Sequence, residues 1–189
     1  MKYYIMFGPP GAGKGTQAKL MVEKFNLRHI STGEALRKEI SAGSELGIKA
    51  KALIEKGAFV SDEIVEGIIE NEIAGNSGAS GFIFDGFPRT TAQAEALDEI
   101  LAKRGEEVTA VISIMIDDAT VKARIRHRAE IENRKDDMDE ATIENRIRTY
   151  HEKTEPLIGY YKKQNRYMEI KGEGGIEAIF GRICEIIEK

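Results

Sequence analysis

The residues Gly8-Pro9-Pro10-Gly11-Ala12-Gly13-Lys14-Gly15-Thr16 constrain this chain more than any other feature. They match G-x-x-x-x-G-K, a pattern whose glycines let a tight turn aim backbone N–H groups at phosphate oxygens. Its flanks are the required ones. Residues 3–7 read as a short apolar strand, and residues 13–25 place Ala18, Met21, Val22 and Phe25 at helical spacing. The helix N-terminus adds positive potential, and Lys14 adds a full charge near the phosphates. Gly15 takes the usual Ser/Thr position and Thr16 follows one step later. Direct contact of Thr16 with magnesium is therefore left open.

Strands and helices alternate through the rest of the chain. Residues 29–31 are extended, and a helix over 32–42 ends at Gly43 as a C-cap. Helices follow over 45–56 and 61–74, the second opened by Ser61 and the two separated by Gly57. The three helices between 32 and 74 have no strand among them, so that stretch is expected to protrude. Residues 75–81 form a loop. Then come a strand at 82–85, a helix at 91–104, a β-branched strand at 108–116, and helices at 119–132 and 140–154. Pro156 opens a further helix, before a strand at 167–170 and a helix at 176–188. Strands separated by helices argue for a parallel sheet covered on both faces.

Asp85 ends the strand 82–85. If that strand neighbours the first one, its carboxylate sits beside the phosphate loop, placed to hold Mg²⁺ or its waters. The other reading is a turn-forming Asp before Gly86.

Arg37, Arg89, Arg124, Arg128, Arg134 and Arg146 lie near predicted helix ends or loops. Phosphoryl transfer between two nucleotides needs several cations at the transferred group and little acid–base chemistry. Arginine suits that task, because its planar fork binds phosphate oxygens in pairs. Six basic residues between Lys122 and Lys135 face only Glu130 and Glu132. Such a run is either a solvated helix face or a site for a compact anion.

Composition narrows the classes. With 189 residues, 41% apolar and 32% charged, the chain is one domain able to bury its own core. The net charge of −4 argues against a nucleic-acid partner. No apolar run approaches the ~20 residues of a membrane span, and the N-terminal stretch reads as a strand and not a signal peptide. One cysteine, Cys184, supplies neither a disulfide nor a multi-cysteine zinc site, which fits a cytoplasmic location. His29, His127 and His151 lack metal-ligand spacing and read as structural, as does Cys184 on its apolar helix.

These motifs together resemble the adenylate kinases, within the nucleoside monophosphate kinases, over essentially the whole chain. Residues 8–16 are similar to the family's phosphate loop, including the Lys-Gly-Thr ending. His29-Ile-Ser-Thr-Gly-Glu-Ala-Leu-Arg37 resembles its monophosphate-site segment. Asp85-Gly-Phe-Pro-Arg89 with Gln93 resembles its signature segment, and Arg134-Lys-Asp-Asp137 with Arg146 the arginines flanking its lid.

The resemblance implies a three-layer α/β phosphate-loop fold with a five-stranded parallel sheet, a single domain over 1–189. It implies a helical monophosphate-binding insertion at 31–60 and a short lid at 127–137, both mobile. The implied reaction is MgATP + AMP ⇌ 2 ADP, with Lys14, Arg89, Arg128, Arg134 and Arg146 catalytic. Gly11, Ala12, Gly13, Lys14, Gly15, Thr16, Arg124, Arg128 and Gly174 would hold ATP. Thr32, Arg37, Ala58, Phe59, Val60, Gly86, Phe87, Pro88, Arg89, Gln93, Arg134 and Arg146 would hold AMP. Mg²⁺ would be held through Asp85 and its waters. The short lid, without cysteines, implies no structural zinc, and a monomer acting on ATP, AMP and ADP is expected. The Phe87-Pro88 bond is expected to be cis.

Two rivals remain: a UMP/CMP kinase, and a nucleotide-responsive binding module without turnover. Against the first, Thr32 stands where UMP/CMP kinases commonly carry Ala, and Thr90 where they commonly carry Asn. A GTPase is disfavoured, since no Asn-Lys-x-Asp motif occurs.

Overall fold

The computed structural model describes residues 1–56, 58–76, 78–132 and 139–188. Arg134, Lys135 and Asp137, the part of the expected lid beyond residue 132, and Gly57 lie outside them.

Five parallel strands form the central layer, in the order β2-β3-β1-β4-β5. They are β1 (Lys2–Phe7), β2 (Arg28–Ser31), β3 (Gly81–Asp85), β4 (Ala110–Met115) and β5 (Tyr167–Lys171). The expected parallel five-stranded sheet is therefore present, and β1 and β3 are neighbours, with Met6 opposite Asp85.

Side-chain alternation gives the sheet two buried faces. Tyr3, Ile5, Phe7, Phe82, Phe84 and Val111 form one core with α4 (Asp62–Gly75), α5 (Thr91–Ala102) and α8 (Leu157–Lys163). Tyr4, Met6, Ile83, Ile112 and Ile114 form the other with α1 (Lys14–Phe25) and α9 (Ile176–Ile187). Tyr3 stacks on Phe82 with ring centroids 5.5 Å apart. Each such buried side chain contributes roughly 1.5–3 kcal/mol.

Between β2 and β3, α2 (Thr32–Ala42) and α3 (Glu45–Ile54) pack as a pair. Ser31 accepts from the Glu34 N–H at the start of α2, and Gly43 ends it with φ +65°. The expectation that all three helices between 32 and 74 protrude is narrowed here. Val65, Ile69 and Ile73 of α4 are buried in the core against α5, so α4 belongs to the sheet-covering layer.

Helices α6 (Asp118–Glu132) and α7 (Glu140–Thr149) share a small cluster of Val121, Ile125, Ile143 and Ile147. The helix expected over 140–154 is not uniform. From Tyr150 to Thr154 it widens into a π turn, in which the Glu155 N–H reaches the Tyr150 carbonyl at 2.8 Å.

Candidate active site

A cleft of about 600 Å³ runs along the carboxyl ends of the strands, the edge where open parallel sheets bind ligands. Topology brings there the loop after β1, helix α2, residues 58–60, the β3–α5 segment, and the helices α6 and α7.

The loop after β1 is built for an anion. Gly8, Gly11 and Gly13 all take positive φ, and Gly13 caps α1, whose first turn carries no acidic residue. The Lys14 ammonium donates to the Gly8 and Pro9 carbonyls at 2.8 and 2.9 Å. Burial pulls its pKa down to about 8, opposed by Asp85 and reinforced by Arg89, Arg128 and Arg146. A lysine so placed gains its full charge when an anion enters.

Asp85 stands across from this loop. Burial pushes its carboxyl up, but His29, the Lys14 ammonium and Arg89 outweigh that, and the net pKa is below the ordinary value. His29 Nε2 lies 3.8 Å from Asp85 Oδ2. A Cβ on Gly15 would come within 3.2 Å of that same Oδ2. A side chain at this position would need the Asp85 carboxylate to give way by a few tenths of an ångström.

Gly86 turns the chain with φ +82°, and a Cβ there would meet Arg89 Nη2 at 2.8 Å and Thr32 Oγ1 at 3.0 Å. Its carbonyl accepts from both Arg89 Nε at 2.7 Å and Thr32 Oγ1 at 3.0 Å. Arg89 also lies over the Phe59 ring, 5.3 Å from its centroid. Burial, with Arg146 and Arg37 adding repulsion, pulls its pKa down to about 10, so it remains charged at neutral pH. Phe87-Pro88 is cis, as expected.

The basic cluster on α6 divides by helical spacing. Lys122 and Arg126 face α7, pairing with Glu144 at 3.0 Å and Glu140 at 2.7 Å. Arg124 and Arg128 face the cleft, Arg124 donating to the Gly172 carbonyl at 2.8 Å. The described part of the cluster thus has one face paired with α7 and one face on the cleft.

Of the expected site residues, Gly11, Gly13, Lys14, Gly15 and Thr16 line the cleft, as do Thr32, Arg37, Ala58, Phe59, Val60, Asp85, Gly86, Pro88, Arg89 and Gln93. So do Arg124, Arg128 and Arg146. Ala12, Phe87 and Gly174 do not. Ala12 and Phe87 are buried in the core, and Gly174 is exposed between β5 and α9. Gln93 is almost fully buried and already bonded at both ends of its amide, to the Arg89 N–H and to Asp62. Sequence reasoning missed Asp62, His29 at Asp85, and Thr154, whose hydroxyl donates to the Arg89 carbonyl. No local motif marks any of these, because each partner is distant in the chain.

The adenylate kinase family model matches residues 6–166. The chain belongs to the adenylate kinase family. An adenylate kinase of Flavobacterium psychrophilum is 45% identical over 183 residues, covering 97% of this chain and 96% of its own. Those of Bacteroides thetaiotaomicron and Hyphomonas neptunium are 43% and 46% identical, over 98% and 95% of this chain and 97% and 94% of theirs. Adenylate kinases are phosphotransferases that convert ATP and AMP into two ADP, so the expectation of an enzyme of this class is borne out. No helix among the described residues is long and apolar enough to cross a membrane.

Proposed function

We propose that this cleft passes the γ-phosphoryl group of MgATP to AMP by positioning and charge. One observation carries the assignment of roles: cations from five separate segments line a single cleft, Lys14, Arg37, Arg89, Arg124 with Arg128, and Arg146. Transfer between two polyanions has little covalent chemistry for side chains to perform, and preorganised cations are what it needs.

In this reading the loop amides and Lys14 cradle the ATP phosphates. Arg124 and Arg128 hold the donor side. Thr32, Arg37, Arg89 and Gln93 hold AMP beside the apolar wall of Ala58, Phe59 and Val60. Arg146, with Arg134 by family resemblance, bridges the two phosphate chains. The described parts of the insertion at 31–60 and the end of α6 from His127 close over the substrates and exclude water, which would otherwise compete as acceptor.

Asp85 fits a magnesium ion. It is a hard oxygen donor kept ionised beside the phosphate loop, and it approaches the start of α1 where nothing but glycine intervenes. Bound there with its waters, the ion would neutralise phosphate charge, and Thr16, which lines the same cleft, offers a second oxygen. The working form proposed is a cytoplasmic monomer.

The test is stoichiometric. In ³¹P NMR of protein with MgATP and AMP, two ADP should appear for each AMP consumed, and none when AMP is omitted. ADP and inorganic phosphate formed without AMP would contradict the proposal.

A further inference from the structure

We infer that Asp62 is a positioning residue: it fixes the sense of the Gln93 amide, so that the acceptor pocket takes a 6-aminopurine and rejects a 6-oxopurine. The inference rests on the reading that Gln93 meets the acceptor base.

Gln93 Nε2 donates to Asp62 Oδ1 at 2.6 Å, and Gln93 Oε1 accepts from the Arg89 backbone N–H at 2.7 Å. The two ends of a glutamine amide are nearly equal in shape, so either orientation fits sterically. They are opposite in chemistry. A carboxylate accepts only, and a backbone N–H donates only. Turning the amide over would set oxygen against carboxylate and N–H against N–H. Gln93 is 2% exposed, and on the side turned to Asp62 and the Arg89 N–H a clash would have no water to relieve it. Asp62 and Arg89 N–H therefore agree on one orientation.

Each bond uses half of what its atom offers. One N–H and one oxygen lone pair remain, in a fixed order, for the cleft that Gln93 lines. Entering with C6 toward the Gln93 oxygen, adenine presents an amino donor at C6 and an acceptor at N1, and these meet that order. Guanine and hypoxanthine present an acceptor at C6 and a donor at N1, the reverse order. With the acceptor phosphate gripped by arginines, the base cannot turn over to compensate. A 6-oxopurine must then flip the amide against both partners or leave buried groups unpaired. Asp62 itself does not line the cleft, so it acts through Gln93.

The experiment compares kcat/KM for AMP and for GMP in the wild type, Asp62→Ala, Asp62→Asn and Gln93→Ala. The ratio is independent of how much of each preparation is folded, and Asp62→Ser replaces the alanine variant should that one not fold. In Asp62→Ala the AMP:GMP ratio should fall roughly tenfold, through a raised KM for AMP, with the KM for ATP unchanged. Asp62→Asn keeps an acceptor oxygen and should retain most of the preference. An unchanged ratio in Asp62→Ala with a collapsed ratio in Gln93→Ala overturns the role of Asp62 and leaves Gln93 at the base. Unchanged ratios in both overturn the placement of Gln93 as well. An equal fall in Asp62→Asn and Asp62→Ala assigns the effect to charge and overturns positioning by the hydrogen bond.

Discussion

The Thr154 hydroxyl donates to the Arg89 carbonyl at 2.9 Å, joining the π turn after α7 to the segment that carries the central arginine of the cleft. Wide turns of this kind in helices often sit at functional sites. Here the turn sets two of its residues, Tyr150 and Thr154, on the cleft wall. Thr154→Val keeps the volume but leaves the buried carbonyl without this donor. It should cost about 1–3 kcal/mol in stability, read as a lowered denaturation midpoint. Through Arg89 it should also raise the KM for AMP while leaving that for ATP in place. Wild-type values for both would show that the bond neither stabilises the fold nor positions Arg89.

Lys14→Ala should lower kcat by at least ~10²-fold, the scale seen when one preorganised stabiliser of transition-state charge is removed. Stopped-flow phosphoryl transfer checks this. A near-normal kcat would remove Lys14 from the chemistry and leave it a role in loop structure, through its bonds to Gly8 and Pro9.

The pKa of about 8 at Lys14 has two consequences of known sign. Nucleotide binds the charged ammonium, so binding ATP near pH 8.5 should take up most of a proton. Calorimetry in buffers of different ionisation enthalpy reads that uptake directly, and zero uptake would contradict the burial argument. Between about 8 and the ordinary 10.5, the unfolded chain holds more protons than the folded one at this site. Its contribution to stability therefore rises with pH across that window.

Asp85→Ala should raise the Mg²⁺ concentration needed for half-maximal turnover by about 10–100-fold, measured by titrating metal at fixed ATP. Turnover that persists in excess EDTA would remove the metal from the reaction. Metal analysis should find no stoichiometric zinc, and one zinc per chain would contradict the short-lid reading.

What the sequence disclosed follows from how local each signal is. The phosphate loop was legible because strand, glycines, lysine and helix are contiguous. Helix α2 matched at both ends because Ser31 and Gly43 are caps with local chemistry. The neighbouring β1 and β3 had to be assumed to bring Asp85 to the loop, and their pairing bears this out. The π turn was not legible. Residues 140–154 carry an unbroken helical pattern, and the widening goes with a bond from Thr154 to a residue 65 positions away. The Gln93 partner was hidden for the same reason, since Asp62 lies 31 positions earlier on another helix. Helix α3 stopped two residues early because the Ala58 N–H folds back to the Leu53 carbonyl. Tertiary hydrogen bonds overrode local pattern at each of these places.

The central claim is that this cleft uses AMP as its phosphoryl acceptor, and an acceptor panel tests it most directly. With MgATP fixed, kcat/KM is measured for AMP, UMP and CMP. A purine fills the wall of Ala58, Phe59 and Val60 more fully than a pyrimidine, and a small base leaves the Gln93 amide unmet. AMP should therefore exceed both by about 10–100-fold, with Gln93→Ala eroding the preference and Arg89→Ala depressing all acceptors together. UMP or CMP equalling or exceeding AMP in the wild-type protein would contradict the account.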